Sequence, residues 1–322
     1  MKTHISSTII FSLFFLLIGC SEDNENEQGK LVLVDTPKYN ASYASIVDQI
    51  SQEDLTATLQ TYEDFGEKQN ESLQLAQVQS WIEQTYTDLG YTSINIQEFS
   101  GTDRNGGLVT GNNVIVTKKG TKFPDTYIIL DAHYDAIFKG TNDNGSGTTI
   151  LLAIAKLLKD IDTEYSIKFI HFSGEELGLV GSEAYVTDIV KPMELDIRLV
   201  FNVDMVGGKK GANNILICEK GINNPGDIND RSTAFTTALA TTAQLYSNVK
   251  TETGTAEGSD YVPFENNGKV VTGLYEKNGR RNPAYHSDLD LLENMDLEFY
   301  TEVTKTTTAA ILHFAIAKES SF

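Results

Sequence analysis

Four short apolar runs, at 127–132, 167–172, 199–203 and 269–275, limit most strongly what this chain can fold into. Each is close to continuous, where a strand with one wet face would alternate apolar and polar residues. Strands of that kind are buried on both faces, so the sheet they form needs helices packed on either side. A helix fits between the first two runs. Residues 146–160 align Ile150, Ile154, Leu157 and Leu158, and Ser146 stands where an N-cap belongs. Strand–helix–strand order predicts an α/β fold with a mostly parallel or mixed central sheet between helix layers. Residues 73–89 read as a further helix stopped by Gly90, and 94–99 and 113–117 as two flanking strands.

With 322 residues, 40% of them hydrophobic, the chain has the material for a real core. No repeat or Pro/Gly-rich linker divides it, and 45–322 reads as one domain. Asp and Glu number 45 against 25 Lys and Arg, a net charge of -20 that excludes nucleic acid as a partner. Two cysteines, Cys20 and Cys218, cannot frame a disulfide-rich scaffold. Residues 9–18 make an apolar run after Lys2 and His4, too short to span a membrane. Its end, Leu17-Ile18-Gly19-Cys20, resembles a bacterial lipoprotein signal, which implies removal of 1–19 and acylation of Cys20. Residues 20–44, opening with the acidic stretch Ser21-Glu22-Asp23-Asn24-Glu25-Asn26-Glu27, read as a flexible tether. The expected location is the cell envelope, in a lipid membrane through Cys20, with the outer membrane as the expected anchor site.

Polar residues gather where the four runs stop. After the first come Asp131-Ala132-His133-Tyr134-Asp135 and then Asn142-Asp143-Asn144-Gly145-Ser146-Gly147. The second ends at Ser173-Gly174-Glu175-Glu176, the third at Asn202-Val203-Asp204-Met205, and beyond the fourth lies Asn282-Pro283-Ala284-Tyr285-His286-Ser287. Ligands of open α/β sheets bind at the carboxyl ends of strands. Carboxylates crowded there repel and lose hydration unless a cation compensates, and a mixed imidazole and carboxylate set suits zinc. Two zinc ions would balance His133, Asp143, Glu176, Asp204 and His286 and leave one acid free as a base. A lone His-x-Asp or an adjacent Glu pair is a weak signal. The specificity lies in all of them appearing in order at strand ends.

This set resembles the co-catalytic di-zinc aminopeptidases of metallopeptidase family twenty-eight, from about residue 73 to the C-terminal helix. The resemblance implies the zinc exopeptidase (phosphorylase/hydrolase-like) architecture, a fold that also houses glutaminyl cyclases. It implies that His133 and Asp204 hold one zinc, Glu176 and His286 the other, and that Asp143 bridges them. By the same resemblance Glu175 is the general base, Asp135 orients His133, and Tyr285 donates to the oxyanion. The implied activity is hydrolysis of N-terminal residues from peptides or proteins through a metal-activated water. The alternatives are a glutaminyl cyclase-type acyltransferase on the same scaffold and an inactive peptide-binding lipoprotein. The sequence departs from the family at Gly258-Ser259-Asp260-Tyr261, where many relatives carry His after Ser-Asp, which touches the substrate pocket more than catalysis.

Other titratable groups have plainer readings. His171 in the second run and His313 on an apolar helix at 309–317 read as packing residues, and Cys218 as a small buried hydrophobe. Asp288 and Asp290 read as caps of a turn, with a bond to His286 as the other option. Gly207-Gly208-Lys209-Lys210-Gly211 lacks the spacing of a phosphate loop and reads as a turn.

Overall fold

The computed structural model describes residues 34–316 apart from Pro225 and Glu257, so the signal, Cys20 and the acidic stretch lie outside the described residues. The elements run α1 (Ala41–Val47), α2 (Gln52–Asp64), α3 (Leu73–Asp88), β1 (Ile94–Thr102), β2 (Leu108–Lys118), β3 (Phe123–His133), α4 (Gly145–Leu158) and β4 (Tyr165–Phe172). There follow α5 (Val180–Tyr185), β5 (Asp196–Val203), β6 (Leu216–Lys220), α6 (Asp227–Tyr246), β7 (Thr251–Thr255), α7 (Val262–Asn266), β8 (Val271–Glu276) and α8 (Leu297–Ala315). Among the described residues no helix is long and apolar enough to cross a membrane.

The strands form one sheet in the order β1-β2-β4-β3-β5-β8-β6-β7. Its four middle strands, β4, β3, β5 and β8, are mutually parallel and hold the four apolar runs. The flanks enter antiparallel, β2 against β4 and β6 against β8. Alternate residues of the middle strands serve two cores. Ile128 and Leu130 of β3 and Phe201 of β5 face a large core shared with α2, α3, α4, α6 and α8. Ile129, Ile170 and Val200 face the opposite way, against Tyr185, Val186 and Phe264 from the α5 and α7 side. Burying such a side chain contributes about 1.5–3 kcal/mol, which is why these runs carry no polar alternation.

Local chemistry sets the helix ends. Ser51 caps α2 by accepting from Asp54 N, and Ser72 caps α3 by accepting from Leu75 N. Gly90 follows α3 with φ +89, a conformation that favours glycine. At α4 the cap is Asn144, not Ser146: the Asn144 side chain accepts from Gly147 N at 2.9 Å. Ser146 Oγ is committed elsewhere, donating to Asn142 O and accepting from Val206 N. In α8, Thr301, Thr304, Thr306, Thr307 and Thr308 each donate to a carbonyl one turn back, so a polar stripe enters the core without orphaned hydroxyls.

The fold begins before residue 45, the boundary expected from sequence. Val34 packs against the large core, Tyr39 stacks on Tyr246 at 5.6 Å, and Asn40 caps α1. The segment is polar on average, but its two tyrosines find aromatic partners, Tyr43 meeting His313 edge-on at 4.9 Å. His313 also bonds Tyr246 OH at 3.0 Å, and His171 is buried against Tyr86 OH at 3.0 Å, so both are packing residues. Burial pushes His171 down to about 3 and the Cys218 thiol up to about 12.

Candidate metal centre

From β3 the chain crosses by α4 to β4 on one side, then returns past β3 to β5 on the other. The gap between the ends of β3 and β5 is therefore a topological switch point, where α/β folds hold their ligands. His133 is the last residue of β3 and Asp204 follows the last residue of β5. Asp143 arrives on the loop before α4. Asn144 Nδ2 ties that loop to Val203 O at 2.9 Å. Gly140, with φ +57, starts the turn where any side chain would run into Ala136 and the Asp143 carbonyl.

The five expected ligands converge. His133 Nε2 lies 3.3 Å from Asp143 Oδ1 and 3.5 Å from Asp204 Oδ1. His286 Nε2 lies 3.2 Å from Asp143 Oδ2 and 3.0 Å from Glu176 Oε2. Asp143 thus turns one oxygen to each histidine. Two groups result, His133/Asp143/Asp204 and Asp143/Glu176/His286, each with its ligand atoms within 4.8 Å of one another. Imidazole with carboxylate is a donor set that suits zinc, and Glu176 Oε1 and Asp204 Oδ1 are buried acceptors without a hydrogen-bond donor. The residues fit a pair of divalent ions.

Electrostatics follow from the crowding. Burial pushes the Asp143 carboxyl up, but its bonds to His133 and His286 outweigh that and hold it at about 2. Burial likewise lowers His133, and the Asp143 and Asp204 carboxylates more than reverse it, leaving the imidazole well above its ordinary value. His286, burial opposed by Asp143 and Glu176, is raised to about 9. Glu176 is lifted to about 7 by burial and by Asp143. Glu175 is raised well above its ordinary value, first by burial, with Asp204, Asp260 and Glu176 adding repulsion.

Asp135 is placed differently from the expectation. His133 Nδ1 meets the Asp135 backbone carbonyl at 3.0 Å, while the carboxylate Oδ1 stands off at 3.7 Å. That carboxylate is occupied by the amides of Glu175 and Glu176, each at 3.3 Å, across the turn that Gly174 makes with φ +75. Its side chain therefore fixes the two glutamates, and its main chain fixes the histidine. The Tyr285 ring stacks on His286 at 3.7 Å, and burial with Asp143 and Glu176 pushes its phenol to about 12. Tyr261, the departure from the family pattern, is a core residue whose OH donates to Glu219 Oε2 at 3.1 Å.

Two residues here escape a sequence reading. Asp290 is no turn cap: it accepts from the amides of Asn142 at 2.7 Å and Asp143 at 2.9 Å, while Asp288 is exposed. Glu276 accepts from Asn142 Nδ2 at 3.0 Å and Gly208 N at 2.5 Å. Both lie more than a hundred positions from the loop they hold, so no local pattern marks them.

A mixed α/β sheet with imidazole and carboxylate groups gathered at its switch point is the arrangement of a metal-dependent hydrolase. Residues 113–311 match the Peptidase family M28 model, and the chain belongs to that family. Aminopeptidase YwaD of Bacillus subtilis (strain 168) is 31% identical over 219 residues, covering 65% of this chain and 46% of that protein. Aminopeptidase Y of Saccharomyces cerevisiae is 28% identical over 218 residues, covering 65% of this chain and 39% of that protein. The chain spans less than half the length of these relatives. LapB from Legionella pneumophila shares the fold with a TM-score of 0.72 and 20% identity over 89% of this chain and 79% of that one. A glutaminyl cyclase from Bacteroides thetaiotaomicron shares it with a TM-score of 0.70 and 18% identity over 82% of this chain and 98% of that one.

Proposed function

We propose that this protein is a zinc-dependent metallo-aminopeptidase that removes residues one at a time from the N-termini of peptides. The observation that carries the reading is the split of Asp143 between two histidine-containing groups, with Glu175 beside them and not among the bonded ligands. His133, Asp143 and Asp204 would hold one ion, and Asp143, Glu176 and His286 the other. When bound, such ions act as Lewis acids and acidify a water towards about 7. The chain's own residues do the rest. Glu175, outside both ligand groups, takes a proton from the attacking water and delivers it to the departing amine. Tyr285 keeps its proton and donates to the carbonyl oxygen as charge develops there.

A free N-terminal peptide should be trimmed stepwise while its N-acetylated form resists. Internal cleavage of the acetylated peptide would overturn the reading. The structural likeness to a glutaminyl cyclase keeps one rival in view. That rival predicts ammonia release from an N-terminal Gln peptide with its length intact, where an aminopeptidase shortens it. We further infer that the enzyme is anchored in the cell envelope through acylated Cys20, on the strength of the Leu17-Ile18-Gly19-Cys20 signal. Radiolabelled palmitate should enter the wild-type chain and not Cys20→Ala, and label in both would exclude that anchor.

A further inference from the structure

The segment that carries His286 runs from the end of β8 to α8 with only two short 3-10 turns. It returns to the metal centre at one buried side chain, Asp290, which is 4% exposed. The two carboxylate oxygens of Asp290 accept from consecutive amides, Asn142 N at 2.7 Å and Asp143 N at 2.9 Å. Thr141 N donates to the Asp290 backbone carbonyl at 3.4 Å, and Glu63 Oε2 accepts from both Thr141 Oγ1 and Leu292 N. The loop of Asp143 and the segment of His286 are thus stitched together, and the stitch nearest the ligands is a charge-assisted pair of bonds.

The geometry points to Asp290 as the positioning residue of the Asp143/Glu176/His286 group. It fixes the loop from which Asp143 reaches both histidines, and it ties that loop to the segment presenting His286. The inference rests on the two-metal reading above. His133 and Asp204 stand on strand ends and do not depend on this stitch, so its loss falls mainly on the more exposed group. Groups that orient metal ligands typically carry 10–100-fold in metal affinity.

Cobalt(II) titrated into the metal-free protein tests this, because its visible absorption reports the coordination of each ion and not stability. Wild-type protein should take two equivalents. Asp290→Asn sets an amide NH2 against a backbone N–H. It should take the first equivalent much as wild type does and the second at least tenfold more weakly, with an altered band. Asp290→Ser, which is less crowded, should shift in the same direction if the Asn variant does not fold. Asp296→Ala, which removes the cap bonding Phe299 N at 3.1 Å on α8, lowers stability alone and should leave both equivalents unchanged. Folded Asp290 variants with wild-type affinities and spectra would overturn the inference, as would an equal loss in Asp296→Ala. Wild-type protein that binds a single equivalent would instead overturn the two-metal reading itself.

Discussion

The two halves of the metal centre share Asp143 and differ in how they are built. One sits on the ends of adjacent parallel strands, where His133 is 1% and Asp204 8% exposed. The other joins Glu176, on the turn after β4, to His286, whose side chain is 32% exposed on a long loop. Strand ends are held by the ladder and by packing on two faces, and loops by a few specific bonds. The buried half therefore gives a fixed charge and a fixed distance. The open half, with Tyr285 stacked on its histidine, is the side the proposed function leaves for the substrate carbonyl. On the proposed function, holding ions and admitting a peptide would fall to two kinds of backbone.

The sharpest way to break this comparison is Glu175→Gln. Both ions should stay while kcat falls about 10²–10⁴-fold, read by metal analysis beside steady-state kinetics. Metal lost along with activity would place Glu175 among the ligands. Next in size is Tyr285→Phe, which should lower kcat about 10²-fold with KM little changed. An effect confined to KM would make the tyrosine a binding contact of the open half. The ions themselves should part unevenly: brief dialysis against a chelator should remove one before the other, and His286→Ala should lose one ion yet stay folded. His133→Ala, which takes a neighbouring imidazole from the buried Asp143 and Asp204 carboxylates, should lower Tm as well. Simultaneous loss of both ions in every case would erase the distinction.

The smallest effect concerns the support of the Asp143 loop. Lys68 is fully buried, its Nζ donating to Gly66 O and Lys139 O and standing 4.0 Å from the Tyr62 ring centre, and burial pushes it from 10.5 to about 7. Between those values the unfolded chain binds a proton that the native chain does not, so stability should rise with pH. The gain is complete above 10.5 and lost as pH falls through about 7. The slope is at most about 1.4 kcal/mol per pH unit. Urea unfolding of metal-free protein at pH 7 and 9 should show this rise, and Lys68→Met should flatten it. An unchanged slope in the variant would assign it to other groups.

The middle of the sheet could be read from sequence because strands buried on both faces leave apolar runs, and the candidate ligands because each lies beyond the end of such a run, His133 and Asp204 directly, Asp143 and His286 on the loops that follow. What escaped had weaker or more distant signals. The α6 sequence, rich in Thr and Ala, lacks a clear apolar stripe, and β7, Thr-Glu-Thr-Gly-Thr, is a strand only because β6 pairs with it. Ser146 has the right chemistry for a cap, but Asn144 reaches the α4 amide first. Asp135 stands two positions from His133, but the bond to that ring comes from its main chain. Asp290 and Lys68 act on backbone groups 147 and 71 positions away, and side-chain-to-backbone bonds of that span have no sequence pattern.

The threonine-rich α8 bears on how the chain comes to be folded. β-Branched residues are weak helix formers, so most of the stability of α8 comes from what it docks against. Those neighbours are α1, α2, α4 and α6, together with Tyr43, whose OH donates to Ile316 O. Helix α8 therefore closes a core whose first described residues were made nearly 300 positions earlier, by the number of Val34 and Ile316. Until it arrives the large core is open on one side, and the growing chain is a substrate for chaperones and for any machinery that handles unfolded protein.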